Sequence, residues 1–272
     1  MKHKLIKKVL MCKPLYFDTL DYSINPWMQP GTINKEKALQ EWKKLVQAYK
    51  NQGIIVEVIK QQKGSPDMVF ATDQGIVQGK KVLLSKFWKD ERKKESDHYE
   101  KWFLKNNYKV SYLPDGVYFE GNGDSYLWND KLFIGVGYRA DMKTCKVVGK
   151  LLDREVIPLE IIDSKFYHLD VGFFPLNNET IFYYPPAFSQ KSRGVLKKLV
   201  PNLIEFSQEE AYGFCANSVV TDHHVVHQKN NKSFTDKLTD LGYKSIEIDA
   251  GEFMKSGGGI HCLTNILEEK FV

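Results

Sequence analysis

Apolar residues follow two alternating rhythms along this chain. Over 34–52, Ala38, Trp42, Leu45, Val46 and Tyr49 fall at i, i+4, i+7, i+8 and i+11, the stripe of one helical face. Asn34 is placed to cap the start of that helix and Gly53 to stop it. The same period predicts helices over 91–107, 189–200 and 230–242. Short β-rich runs fall at IIVEVI (54–59), VSYL (110–113), VIPLEI (156–161), LIEF (203–206) and SIEI (245–248). Each is followed by polar or glycine-containing residues and then two more apolar runs. The opening MKHKLIKKVLMCKP predicts a first strand. The fold class is therefore mixed α/β (α+β), read as a single domain over 1–272.

Aligned on the β-rich runs, the chain repeats itself five times. The segments that follow them are SPDMVFATDQGIV, VYFEGNGDSYLW, KFYHLDVGFFPL, YGFCANSVVTDH and KSGGGIHCLTNI. Their landmarks Asp67, Glu120, His168, Asn217 and Cys262 are separated by 53, 48, 49 and 45 residues. Each unit reads as helix, strand, chemistry-bearing strand, strand. Units of this size that each bury one apolar face can close into a ring, and residues at equal phase then face its axis.

Composition narrows the function classes. A chain that is 42% hydrophobic and 13% aromatic can fill a sizeable core. The net charge of +5 is spread over lysine pairs beside apolar or acidic residues, which reads as solvated faces and not as a nucleic-acid patch. Cys12, Cys145, Cys215 and Cys262 form no CxxC pair, so neither a disulfide scaffold nor a zinc site is expected. No apolar run is long enough for a membrane span and the start does not read as a signal peptide. The expectation is a cytoplasmic enzyme with no membrane or nucleic-acid partner, open to homo-oligomerisation.

The chemistry concentrates on a few residues. In GGGIHC (257–262), three glycines allow close backbone approach to a ligand and present Cys262 as a nucleophile. Cys12, Cys145 and Cys215 read as small buried thiols. His168 is the acid/base candidate by phase. His261 adjoins the nucleophile but, on a strand, would point to the opposite face. TDHHVVH (221–227) lacks a third-ligand pattern for metal. Glu120 is suited to orienting an imidazole or moving a proton, and Asp67, Asp73 and Asp170 add acids near the axis. That many carboxylates oppose a thiolate, yet they suit a planar guanidinium cation, which would itself assist thiol ionisation. Arg139 is a natural partner for an amino-acid carboxylate, and Asn25 and Asn217 offer polar contacts. Trp27 and Met28 read as packing residues, and Arg92 and Glu95 as the solvated start of a charged helix.

The ordered pieces INPWM, PDMVFATD, FEGNGD, GVGYR, FYHLDVGF and GGGIHC resemble the guanidino-group-modifying enzymes: arginine deiminases, dimethylarginine dimethylaminohydrolases, arginine dihydrolases and amidinotransferases. The resemblance spans nearly the whole chain. It implies a five-bladed ββαβ propeller, the pentein fold, and a covalent thiouronium-type intermediate. It implies Cys262 as nucleophile, His168 as general acid/base and Glu120 as the carboxylate holding the histidine or a substrate nitrogen. Asp67, Asp73 and Asp170 match substrate-side positions and Arg139 the carboxylate-binding arginine; Asn25 is expected beside them as a polar contact to the substrate. Asp170 stands where dimethylarginine hydrolases usually have lysine, which favours an unmethylated guanidinium; Asp73 stands where the dihydrolase group has asparagine.

The expected activity is therefore hydrolysis of a C–N bond in arginine or a related guanidino compound, with no cofactor and no metal. The alternatives are amidino transfer to an amine, dimethylarginine hydrolysis, a binding protein that kept the propeller, and an RNA-binding propeller.

Overall fold

The structure, a computed structural model, describes residues 4–271. Among them, fifteen strands form five three-stranded sheets, the blades of a five-bladed ββαβ propeller. One blade joins β1 (Lys4–Lys13) and β2 (Ile55–Lys60) to β15 (Asn265–Phe271). The others are β3 (Gly75–Gln78), β4 (Lys81–Leu84) and β5 (Lys109–Ser111); β6 (Ser125–Trp128), β7 (Lys131–Val136) and β8 (Glu155–Glu160); β9 (Phe173–Pro175), β10 (Thr180–Tyr183) and β11 (Asn202–Glu205); and β12 (Val219–Thr221), β13 (His224–Gln228) and β14 (Lys244–Ile248).

Every blade has one wiring. An antiparallel pair is followed by a crossover helix and a strand parallel to the middle one. The first blade takes its antiparallel partner from the other end of the chain, β15 against β1, so both ends are hydrogen-bonded into one sheet and the ring closes. The crossover helices are Lys35–Asn51, Lys93–Lys105, Met142–Leu152, Gln190–Leu199 and Lys232–Asp240. The first is capped as its sequence predicts, Asn34 accepting from the Lys37 N–H at 3.0 Å. Met142–Leu152 is not among the predicted helices; it carries Gly149 in its interior. Gly149 packs so closely that an added Cβ would stand 2.9 Å from Val156.

One expectation is corrected. The chemistry-bearing residues do not lie on strands. Asp67 and Asp73 sit in single 3-10 turns, His168 precedes the short Leu169–Gly172 helix, and Cys262 is in a turn before β15. They occupy the connections entering the first strand of each blade. Those strands begin at residues 75, 125, 173, 219 and 265. Counted from them, Asp73, Asp170, Asn217 and Cys262 share a phase two or three residues ahead, whereas Glu120 and His168 stand five ahead. Asp67 lies earlier still, so the landmarks form two tiers at one end of the axis. At the far ends of the same strands lie cavities of about 340 and 490 Å³, which share Tyr126, Leu127, His261 and Ile266.

Aromatic residues dominate the largest apolar cluster. Phe182 is fully buried, stacked on Phe206 at 5.3 Å between ring centroids and edge-on to Phe234 at 5.5 Å. Replacing Phe182 with alanine is expected to lower unfolding stability by about 3–5 kcal/mol, read by urea denaturation.

Candidate active site

Cys262 is 2% exposed, and the Asn217 side chain holds both its backbone and its sulfur. The Asn217 Oδ1 accepts from the backbone N–H of Gly259 at 3.0 Å and of Cys262 at 3.1 Å. Its Nδ2 donates to the Cys262 sulfur and to Asp170 Oδ2, both at 3.0 Å. Asn217 thereby fixes the glycine loop, the thiol and the nearest carboxylate with a single amide. The loop itself requires Gly258, since a Cβ there would meet the Phe70 ring at 2.3 Å. Asn25 braces the same loop from outside. Its Nδ2 donates to Ser256 O at 3.0 Å, and its Oδ1 accepts from the N–H groups of Trp27 and Met28. Asp67 accepts from the Ser256 hydroxyl at 2.9 Å.

The thiol of Cys262 donates to Asp170 Oδ2 at 3.2 Å. Burial, Asp170 and Asp73 push its pKa well above the usual thiol range. The protein alone therefore keeps Cys262 protonated at neutral pH.

His168 occupies the opposite electrostatic position. Its Nε2–H donates to Glu120 Oε2 at 2.8 Å, and its Nδ1 faces Asp73 Oδ1 at 3.8 Å. Burial opposes the imidazolium, but Asp73, the Glu120 hydrogen bond and Asp124 outweigh it and raise the pKa to about 9. Gly123 leaves the room between them: a Cβ there would lie 2.4 Å from Asp73 Oδ1 and 3.0 Å from His168 Nδ1. Burial would raise the Glu120 pKa, yet Arg139 and His168 hold it well below the carboxylate range. For Asp73, burial outweighs His168 and Arg92 and lifts the pKa to about 6.

Arg92 and Glu95 overturn their expectation as a solvated helix start. Arg92 is 4% exposed and Glu95 fully buried. The guanidinium bonds Asp73 at 2.9 Å and Glu95 at 3.0 Å, lies 3.7 Å from Glu120, and sits over the Phe87 ring. His261 overturns its expectation too. It lies in a turn and not on a strand, and its Nδ1 is 2.9 Å from Asp170 Oδ2. Asp124 is a further site residue that the sequence reading passed over; it accepts from the Glu120 N–H at 2.7 Å. The glycines of EGNGD were the available signal, since a tight turn there aims the next acid back at Glu120.

The remaining cysteines and histidines lie elsewhere. Cys12, Cys145 and Cys215 are buried and unpaired in the core. His227 packs edge-on to Phe234 and bonds the Gln228 carbonyl. Among the described residues no three His, Cys, Asp or Glu side chains are grouped to hold a metal ion, and no helix is long and apolar enough to cross a membrane.

Buried polar atoms at the site that make no hydrogen bond include Asp73 Oδ1, Asp170 Oδ1 and Arg139 Nη1, and the Tyr126 hydroxyl beside His261. Arg139 is 7% exposed, stacks over Tyr167 at 4.8 Å and lies 3.8 Å from Glu120. Two acceptors from acids beside the Cys262 thiol and one donor from an arginine are thus unsatisfied.

The chain is similar to several known proteins. A family described as N,N dimethylarginine dimethylhydrolase, eukaryotic, matches residues 18–268. The bifunctional arginine dihydrolase/ornithine cyclodeaminase ArgZ of Synechocystis sp. is 38% identical over 264 residues, which cover 94% of this chain and 37% of that protein. This chain therefore spans little more than a third of that relative's length. The N(G),N(G)-dimethylarginine dimethylaminohydrolase of Mycobacterium tuberculosis is 31% identical, over 95% of this chain and 85% of that protein. A solved structure of the N-terminal domain of ArgZ, covalently bound to a reaction intermediate, superposes with a TM-score of 0.92 at 37% identity, covering 96% of this chain and 97% of that one.

Two measurements check the electrostatics. Arg92→Met leaves Asp73, Glu95 and Glu120 without their shared cation, so stability should fall by about 3–5 kcal/mol, read by denaturant titration. The His168 ring should hold its proton to about pH 9 in histidine-labelled NMR, and Glu120→Gln should lower that midpoint. Because the folded pKa lies above the unfolded value of about 6.5, the stabilisation from His168 is complete below that pH. It is lost as pH rises through about 9.

Proposed function

The chain belongs to the dimethylarginine dimethylhydrolase family of guanidino-modifying penteins, and from that premise we propose that it hydrolyses a C–N bond in the guanidinium group of arginine or a close analogue. The observation that carries this reading is the set of unsatisfied atoms. Asp73 Oδ1 and Asp170 Oδ1 stand ready to accept from a planar cation, and Arg139 Nη1 to donate to a carboxylate. An α-amino acid with a guanidinium tail supplies both complements in one molecule.

The charge balance points the same way. Six buried carboxyl groups, Asp67, Asp73, Glu95, Glu120, Asp124 and Asp170, surround two buried arginines and His168. Burial answers part of the deficit by protonation, raising Glu95 and Asp124 to about 7. A guanidinium between Asp73 and Asp170 answers more of it, and it screens the sulfur from the two charges that oppose ionisation. Substrate binding thus helps create the thiolate.

In this mechanism the Cys262 thiolate forms a bond to the guanidinium carbon, giving a tetrahedral intermediate. The C–N bond then breaks as His168 gives its proton to the departing ammonia or amine. Water attacks the thiouronium carbon while His168 takes its proton. The S–C bond breaks, the hydroxyl proton on the former thiouronium carbon passes to the departing sulfur, and the ureido product leaves a Cys262 thiol. Glu120 keeps His168 oriented and charged for the first proton transfer. Asp170, with no lysine in its place, favours the unmethylated guanidinium. The relation to an arginine dihydrolase raises a second reading, in which the ureido product is hydrolysed again. Four unpaired cysteines suit a compartment that keeps thiols reduced, and we place the protein in the cytoplasm.

Incubation with arginine, with methylarginines, and with arginine plus glycine, followed by mass spectrometry, tests the reading. We expect citrulline from arginine without any amine acceptor, and a covalent adduct on Cys262. Turnover only when glycine is present would replace hydrolysis by amidino transfer, and ornithine would mark the second hydrolysis. Cys262→Ala should remove turnover, and turnover that survives it overturns the covalent mechanism.

A further inference from the structure

His261 is the one histidine at this site to which the reaction above gives no task. A carboxylate can only accept, so the Asp170 Oδ2 contact at 2.9 Å places a proton on His261 Nδ1. Oδ2 then has three donors: His261, Asn217 at 3.0 Å and the Cys262 thiol at 3.2 Å. Oδ1 of the same carboxylate, fully buried, has none. The ring of His261 is held in turn by Tyr126, at 4.9 Å between centroids and 32° between planes, and it lines the cavities at the far end of the axis.

We propose that His261 is a positioning residue for the reaction. By donating to Oδ2 it fixes Asp170 with one oxygen on the nucleophile and the other turned to the substrate guanidinium. It also draws negative charge off the oxygen nearest the sulfur. This rests on Cys262 being the nucleophile, as proposed above.

The geometry shows why the bond matters. Asp170 is the largest charged opponent of the Cys262 thiolate after burial itself, and Asp73 is the next. Tyr126 and Tyr167 also face the sulfur, and burial keeps both neutral. Around His261 the groups that can carry charge are Asp170, in contact, and Lys8, Lys80, Asp130, Arg154, Glu268 and Glu269 across the two cavities. Loss of the His261 bond leaves Oδ2 with one donor fewer and frees the carboxylate to rotate. Both the thiolate and the guanidinium subsite suffer.

The test compares His261→Phe, which keeps a ring against Tyr126 but has no donor, with His261→Asn, whose amide can donate near the place of Nδ1. The readouts are the rate of Cys262 alkylation by iodoacetamide at pH 8, mapped by mass spectrometry with the three core cysteines as controls, and kcat and KM for arginine. His261→Phe should slow alkylation about tenfold, the effect of one pKa unit on the thiolate fraction, and should raise KM as well as lower kcat. His261→Asn should recover most of both. Wild-type behaviour in His261→Phe, or equal loss in the two variants, overturns the proposal. Should His261→Phe not fold, His261→Leu takes its place. If no donor-less variant folds while His261→Asn does, the bond serves folding and the proposal falls. Turnover that persists in Cys262→Ala would instead overturn the nucleophile assignment, whatever the His261 variants do.

Discussion

The buried guanidinium of Arg92 is what lets the acids of this site pack together. It bonds Asp73 and Glu95 and lies within 3.7 Å of Glu120. Carboxylates packed this closely away from water would repel one another or protonate, and each unpaired charge would cost several kcal/mol. Arg92 arrives from the start of the crossover helix of the β3–β5 blade, while Asp73 and Glu120 arrive from the entries to two different blades. The ion network is therefore also a tie between blades at the reactive end of the axis.

What Arg92 leaves undone is as informative as what it does. Burial makes Asp73 and Asp124 hold protons more tightly than usual, and the acids around His168 do the same for its ring. Cys262 also keeps its proton. The resting site thus stores a protonated acid and a protonated nucleophile. A guanidinium bound as proposed would change the second more than the first, because it would lie against the two carboxylates that oppose the sulfur. On the proposed mechanism, ionisation of Cys262 is tied to occupancy by the substrate, and a thiol that stays neutral in the empty site is a poor target for oxidants and alkylating agents.

The propeller supplies a common frame and withholds a common chemistry. Five entries at nearly equal spacing deliver their residues to one end of the axis, and each carries something different: Asp73, Glu120, His168 with Asp170, Asn217, and Cys262 with His261. Asn217 shows how much a plain amide can do there. It orders the glycine loop through one atom and the thiol and Asp170 through another, with no titratable group of its own.

By itself the sequence determined the repeat, and with it the fold. Helical and strand periods are properties of neighbouring residues, and they placed the helices over 34–52, 91–107, 189–200 and 230–242 and the third strand of every blade within a residue or two. The glycines before Cys262 and the spacing to His168, Glu120 and Asp170 marked which residues carry chemistry, because unusual residue types at a fixed interval stand out in one dimension. Only the tertiary structure decided what those residues face. A charged helix start such as Arg92 and Glu95 reads as solvated until the helix is known to abut the axis, since pattern reports the apolar face alone. His261 reads as turned away until Cys262 is found in a turn, where alternation no longer holds. Burial and direction are set by contacts between distant blades, and those contacts leave no period in the chain.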